Sequence, residues 1–219
     1  MLALLHTSPL HVPVFDALGD VDHPGLELRH LVDEELLSRA RAEGPEAVAG
    51  DVRAALRRAA GLGARAVLCT CSTIGQVAET AAGIGVPVLR VDRPMASAAV
   101  ALGPRVVVLA TVESTFGPTL ALIEEEARRA GRPVDVRTRL VPGAWERFET
   151  GDAEGHLGLV SAAADAVTDA DAIVLAQASM TPAQHLTTTA VPVLSSPRPG
   201  LAAGAEAAGR PAPVLHSGE

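Results

Sequence analysis

The order of short apolar runs is written twice along this chain. LLHTSP (4–9), LRHLVDE (28–34), VLCTCST (67–73) and VPVLRVDRP (86–94) return in the same order as VLATVE (108–113), TRLVPGA (138–144), VLAQASM (174–180) and VPVLSSPRP (191–199). Apolar strands alone do not produce four matches in one order, so the sequence reads as an internal duplication. Each run is strand-like, with strands expected at 2–6, 26–32, 64–70, 86–91, 105–111, 133–140, 171–177 and 191–195. The stretches between them are polar, Ala-rich and helical: 34–60 with an interruption near Gly44-Pro45, then 75–82, a helix from Pro94, 115–130 and 143–169. Strands alternating with helices imply mostly parallel sheets covered on both faces. The expected architecture is therefore two similar α/β domains, 1–103 and 104–199, with the C-terminal stretch 200–219 packing back on the first. Ligands in open α/β sheets bind at the carboxyl ends of the strands, which makes the cleft between the two domains the expected site.

Composition removes several classes of function. Nearly half of the 219 residues are apolar but aromatics make up only 2%, so the core has to be built from Ala, Val and Leu. A net charge of −8 without a basic patch argues against nucleic acid. No apolar run approaches the ~20 residues that cross a bilayer. The opening MLALLHTSP has no positive region ahead of a short apolar one, so no signal peptide is expected there and the protein is expected in the cytoplasm. All 18 basic residues other than histidine are Arg. Without a Lys amine there is no pyridoxal-phosphate enzyme, no Schiff-base aldolase and no Walker A loop. GLGARA (61–66) and GIGVPV (83–88) precede strands instead of following them and read as turns, and no G-x-S-x-G elbow exists.

Two cysteines, Cys69 and Cys71, make no disulfide framework. As half of a zinc site they would need two further ligands, and the seven histidines show no metal-ligand spacing, so no metal is expected. Cys69 lies inside its strand and reads as a small buried side chain. Cys71 heads the turn into the next helix, where the first N–H groups favour the anionic, nucleophilic form of a thiol. Such a group can remove a proton from carbon, return one, or attack an electrophile. Thr7, Ser8, Ser72, Thr73, Thr111, Thr115, Gln177, Ser179 and Ser195 also follow strands. Hydroxyls beside turn N–H groups hold an anion without a cation, which suits a carboxylate. Helix capping accounts for several of them singly, but not for their recurrence at matching strand ends of both halves. Arg93 and Arg198 are further possible carboxylate partners, but Arg at a helix start is more often solvated, and both are left out of the core site.

On these elements the sequence resembles the aspartate/glutamate racemase superfamily, which includes hydantoin racemases, maleate isomerases and arylmalonate decarboxylases. CST (71–73) is similar to the family's first Cys-Asn-Thr element, LAQASM (175–180) to its Leu-Gly-Cys-Ala-Gly-Met element, and VPV before a turn is present in both halves. The resemblance spans nearly the whole chain. It implies two pseudo-symmetric flavodoxin-like domains, no cofactor, a small-molecule carboxylate substrate, a homodimer, and chemistry at an α-carbon held between one catalytic position from each domain. Cys71 is then the catalytic thiol, with the strand-end residues binding substrate.

In racemases of this superfamily two cysteines act as base and acid on opposite faces. Here the family motif puts Gln177 at the second cysteine's position, and alignment of the halves without a gap puts Ala178 opposite Cys71. Either way there is no second thiol, and an amide is neither acid nor base near neutral pH. Three readings stay open: an isomerase or racemase with another second acid/base, for which His185 and Glu113 are candidates; a one-thiol decarboxylase or lyase; and a carboxylate-binding protein without catalysis.

Overall fold

The computed structural model describes residues 1–209. The chain divides into two compact units, Met1–Arg90 joined by the segment from Leu201, and Val91–Gly200. The part of the expected C-terminal packing that concerns 210–219 lies outside the described residues.

The first unit runs β1 (Leu2–His6), α1 (Val12–Asp22), β2 (Leu28–Val32), α2 (Glu34–Glu43), α3 (Ala49–Gly61), β3 (Ala66–Cys69), α4 (Ser72–Glu79) and β4 (Val88–Arg90). Its sheet is parallel throughout, in the order β2-β1-β3-β4. The central strands LALLH and AVLC are buried at every position. Such unbroken apolar runs are what a parallel strand needs when helices cover both faces. Ala3, Leu5, Val67 and Cys69 face a core shared with α2, α3 and α4. Leu2, Leu4, Ala66 and Leu68 face the other way and are equally buried. On that second face Gly204 sits against Leu2 and Leu68, and Gly19 of α1 sits against Leu28. The expected break near Gly44-Pro45 is present: Gly44 takes φ 92° after α2, and Pro45 opens a 3-10 turn ahead of α3.

The second unit comprises α5 (Arg93–Leu102), β5 (Arg105–Ala110), α6 (Phe116–Ala130), β6 (Asp135–Leu140), α7 (Ala144–Glu149), α8 (Ala153–Asp165), β7 (Ala172–Leu175) and β8 (Val193–Ser195), and reaches the first turn of α9 (Pro197–Gly209). Its parallel sheet has the order β6-β5-β7-β8, the same topology as the first. One face packs on α5 and α6 and the other on α7, α8 and the segment after β7. The fold is thus α/β, with two flavodoxin-like sheets.

Three local features differ from the sequence expectation. α1 fills 12–22, a stretch whose sequence shows no clear period because Pro13 and Gly19 interrupt it. The helical stretch 143–169 is two helices, broken where Gly151 takes φ 79° and the Asp152 carboxylate accepts from Gly155 N at 2.9 Å. After β7 there is no counterpart of α4 but a 3-10 run, Ala178–His185, with Pro182 inside it. Proline has no N–H to give an α-helical ladder, so the tighter turn persists.

Gly200 is a tight point of the second unit. A Cβ there would lie 2.4 Å from the Val91 carbonyl oxygen and 2.9 Å from Val91 Cα, atoms that cannot rotate aside. Replacing Gly200 by Ala is expected to lower stability by about 1–3 kcal/mol, read as a shifted urea midpoint. No such loss would mean that the backbone of Val91 yields.

Candidate active site

The two sheets share one hydrogen-bond register, and this fixes which strand-end residues correspond. Leu2 pairs with Ala66 and Leu5 with Cys69 in the first sheet; Val106 pairs with Ala172 and Leu109 with Leu175 in the second. One residue further on, Thr70 N donates to Leu5 O and Ala176 N donates to Leu109 O, both at 3.0 Å. Thr70 and Ala176 are therefore equivalent, and so are Cys71 and Gln177. Each of the latter is the extended residue that caps the following helical segment, with φ/ψ of −109/117° for Cys71 and −130/142° for Gln177. Ala178 is one step past the equivalent position. Of the four sequence matches, those at 4–9 and 86–94 keep the structural register, which pairs Thr7 with Thr111. The match at 67–73 is one residue out and that at 28–34 is two.

Cys71 is 8% exposed and does not use its thiol to cap α4. Its carbonyl accepts from the fully buried Cys69 thiol at 3.6 Å, so Cys69 braces the turn. Ser72 and Thr73 are the first two residues of α4, whose opening N–H groups have no partner within the helix. Thr7 is buried directly after β1, while Ser8 accepts from Leu10 N at 3.3 Å and acts as a cap.

In the second unit Gln177 is tied by its carbonyl. Oε1 accepts from Thr111 N at 2.6 Å and from Thr111 Oγ1 at 3.0 Å. A backbone N–H can only donate, so the amide orientation is settled and Nε2, with its two protons, is the end left for other partners. Ser179 Oγ and Thr181 Oγ1, in the same 3-10 run, are buried without a hydrogen-bond partner. Three polar groups next to one strand end thus offer donors of the kind a carboxylate accepts. Ser195 Oγ is engaged, donating to Gln184 Oε1 at 2.8 Å. Thr115 contributes its carbonyl to Thr119 Oγ1. The two candidates for a second acid/base, Glu113 and His185, are both exposed. Arg93 is held by Glu125 at 3.1 Å and by Glu126, consistent with leaving it out of the site.

A polar chain that sequence reasoning missed lies on the other face of the first sheet. His6, at the end of β1, is fully buried. Its Nδ1 lies 2.8 Å from Thr70 Oγ1 and its Nε2 2.8 Å from His30 Nδ1, and His30 Nε2 lies 3.0 Å from Asp16 Oδ1. Burial, then the nearby His30 and His11, lower the His6 pKa to about 3. The only signal in the sequence is that LALLH and LRHLV, two neighbouring strands, each carry a histidine.

Two parallel α/β sheets with a thiol at one strand end and an amide at the equivalent one define a duplicated α/β protein of racemase architecture. The family model for Asp/Glu/hydantoin racemases matches residues 14–204, and the chain belongs to that family. No curated protein matches the chain. Among solved structures, the chain is similar to an aspartate racemase of Picrophilus torridus (16% identity, 96% of this chain and 95% of that one, TM-score 0.71). It is also similar to a glycine-to-cysteine variant of arylmalonate decarboxylase (22%, 95% and 93%, TM-score 0.64) and to an allantoin racemase of Pseudomonas fluorescens (18%, 94% and 89%, TM-score 0.53). At these identities the likeness is one of fold. No helix among the described residues is long and apolar enough to cross a membrane.

The buried His6 makes acid sensitivity a direct expectation. Its folded pKa is about 3 and its ordinary value 6.5. Between these values the unfolded chain binds a proton that the folded one does not. The stabilisation is complete above pH 6.5 and is lost as pH falls towards 3, at up to about 1.4 kcal/mol per pH unit. Burial lowers His11 in the same direction. Urea midpoints measured from pH 7 to pH 4 should fall, and His6→Gln should flatten the slope; an unchanged slope in that variant would assign the acid sensitivity elsewhere.

Proposed function

We propose that the chain is a cofactor-independent enzyme acting at the α-carbon of a small amino acid or other carboxylate, with Cys71 as its catalytic thiol. The observation that carries this reading is the equivalence of Cys71 and Gln177 across the duplication. One half offers a thiol at the head of a helix and the other offers an amide whose carbonyl is already bound. That asymmetry favours a reaction with one proton transfer to carbon over symmetric two-thiol racemisation, and the exposure of Glu113 and His185 adds to it.

The chemistry follows from the groups available. When a second carboxylate leaves the α-carbon as carbon dioxide, the electron pair of the broken bond stays behind as an enediolate. Donors aimed at its oxygens stabilise that charge, and the N–H groups opening α4 with Ser72 and Thr73 are of this type. The Cys71 thiol then gives its proton to the carbon, and the thiolate regains one from water. An isomerase uses the same group in reverse order, with the thiolate first removing a proton and later returning it. In the second half Gln177 Nε2, Ser179 and Thr181 supply hydrogen bonds to carboxylate oxygens and take no proton themselves.

The test is turnover in deuterium oxide over small amino acids, hydantoins and substituted diacids, reading deuterium at the α-carbon, carbon dioxide, and the handedness of the product. Cys71→Ala is expected to lower the rate by at least about a hundredfold, and a variant that keeps its activity sinks the assignment. Gln177→Cys introduces a second thiol at the equivalent position and should cost the product its optical purity. A wild-type protein that already exchanges both enantiomers at equal rates would instead require a second base.

A further inference from the structure

We propose that Asp16, His30, His6 and Thr70 form a one-proton relay that reverses the hydrogen-bond direction of the Thr70 hydroxyl and so sets the state of the turn carrying Cys71. The four residues follow one another at 3.0, 2.8 and 2.8 Å, from a half-exposed carboxylate to a buried hydroxyl on the sheet face opposite the two cysteines. The His6 and His30 ring planes lie 13° apart, which suits an in-plane bond between their nitrogens.

Proton counting along the chain allows two patterns. A carboxylate only accepts, so His30 Nε2 carries a proton in both. In the first pattern His30 is neutral: His6 Nε2–H donates to His30 Nδ1, and Thr70 O–H donates to His6 Nδ1. In the second, one more proton makes His30 an imidazolium: His30 Nδ1–H donates to His6 Nε2, His6 Nδ1–H donates to Thr70 Oγ1, and Thr70 O–H is released to the Leu5 carbonyl at 3.1 Å. His6 is neutral in both and changes only its tautomer. That is the behaviour of a buried imidazole whose charged form is disfavoured. The three contacts from Asp16 to Thr70 are made in each pattern, and the Thr70–Leu5 bond only in the second, so the chain switches between two arrangements rather than deforming.

The duplication supplies independent support. Leu4 pairs with His30 as Val108 pairs with Thr138, and the equivalents of His6 and Thr70 are Ala110 and Ala176. The half with an amide at its strand end has no relay, and the half with the thiol has one. The groups facing His6 are His11 from the 3-10 turn after β1, Phe15 from α1, His30 from β2 and Thr70 from the end of β3. Asp33, after β2, donates its N–H to the His6 carbonyl and is itself partly buried. Asp16, His30, His6 and Thr70 are positioning residues, and their link to catalysis rests on the proposed role of Cys71.

The experiment needs no substrate, so it stands apart from that role. Ring-nitrogen chemical shifts of the full-length labelled protein, followed from about pH 5 to 8, should show His6 passing from the Nε2–H to the Nδ1–H tautomer in step with proton uptake by His30. In a Cys69→Ser background the alkylation rate of Cys71 should carry an inflection at that same pH. Asp16→Asn, which removes the carboxylate that accepts from His30 Nε2, should displace both together. Thr70→Val should keep the histidine step and lose the inflection in alkylation, and Thr70→Ser, which retains the hydroxyl, should restore it. A single His6 tautomer throughout, or an inflection that survives in Thr70→Val, overturns the relay. Should the Cys69→Ser protein not fold, the histidine shifts of the wild type and of Asp16→Asn decide the matter alone.

Discussion

One backbone hydrogen bond, made once in each half, sets the geometry on which the rest depends. Thr70 N to Leu5 O, and Ala176 N to Leu109 O, are the last rungs of the β1–β3 and β5–β7 ladders. Beyond each rung the chain stays extended for one residue and then turns into a helical segment. That single residue is the one presented at the strand end, Cys71 in one unit and Gln177 in the other. A slip of one residue would reverse the faces of every side chain in the strand. It would turn Cys69 out of the core that it shares with Ala3, Leu5 and Val67. The identity of the residue at the turn is thus decided by the burial of the strand beneath it.

The two faces of the first sheet divide the work. Cys69 and Cys71 lie with the core under α2, α3 and α4. His6, His30 and Thr70 alternate with those positions and stand on the opposite face, with Phe15 and Asp16 of α1. Fully buried polar groups are tolerated only when hydrogen-bonded, and this set is bonded end to end. The second sheet replaces the same positions by Ala110, Thr138 and Ala176 and packs them without such a chain. The halves have kept a common backbone and diverged in what the backbone carries.

The fold was legible in the sequence because its strongest signal is local. Central strands of a parallel sheet must be apolar on both sides, and AVLC, RVVVLA and AIVL announce themselves. The site was legible only to within a residue. AVLC and AIVL can be laid over each other in more than one way when every position is a small apolar residue, so the identity of Gln177 as the partner of Cys71 waited on the hydrogen bonds. The segment after β7 carried no helical expectation, and with Pro182 inside it the chain forms a 3-10 run in place of the α-helix that Ser72–Glu79 forms. His6 and Thr70 are 64 residues apart and His6 and His30 are 24 apart. No pattern of period two or of helical period brings such residues together; only the pairing of β1 with both β2 and β3 does.

The amide at Gln177 bears on chemistry through what it has already given away. A glutamine with both ends free adapts to either a donor or an acceptor. With Oε1 held by two donors from Thr111, it presents only N–H. A group so fixed binds an anion in one orientation at little further entropic cost. It has no proton to lose near neutral pH. On the proposed reading this leaves the movement of protons to the half that carries the thiol. That is also the half in which the strand-end hydroxyl, two imidazoles and an exposed carboxylate connect the buried turn to water. Proton traffic and anion recognition then fall on different copies of one repeated element, a division of labour that a duplicated fold reaches by changing few side chains and no backbone register.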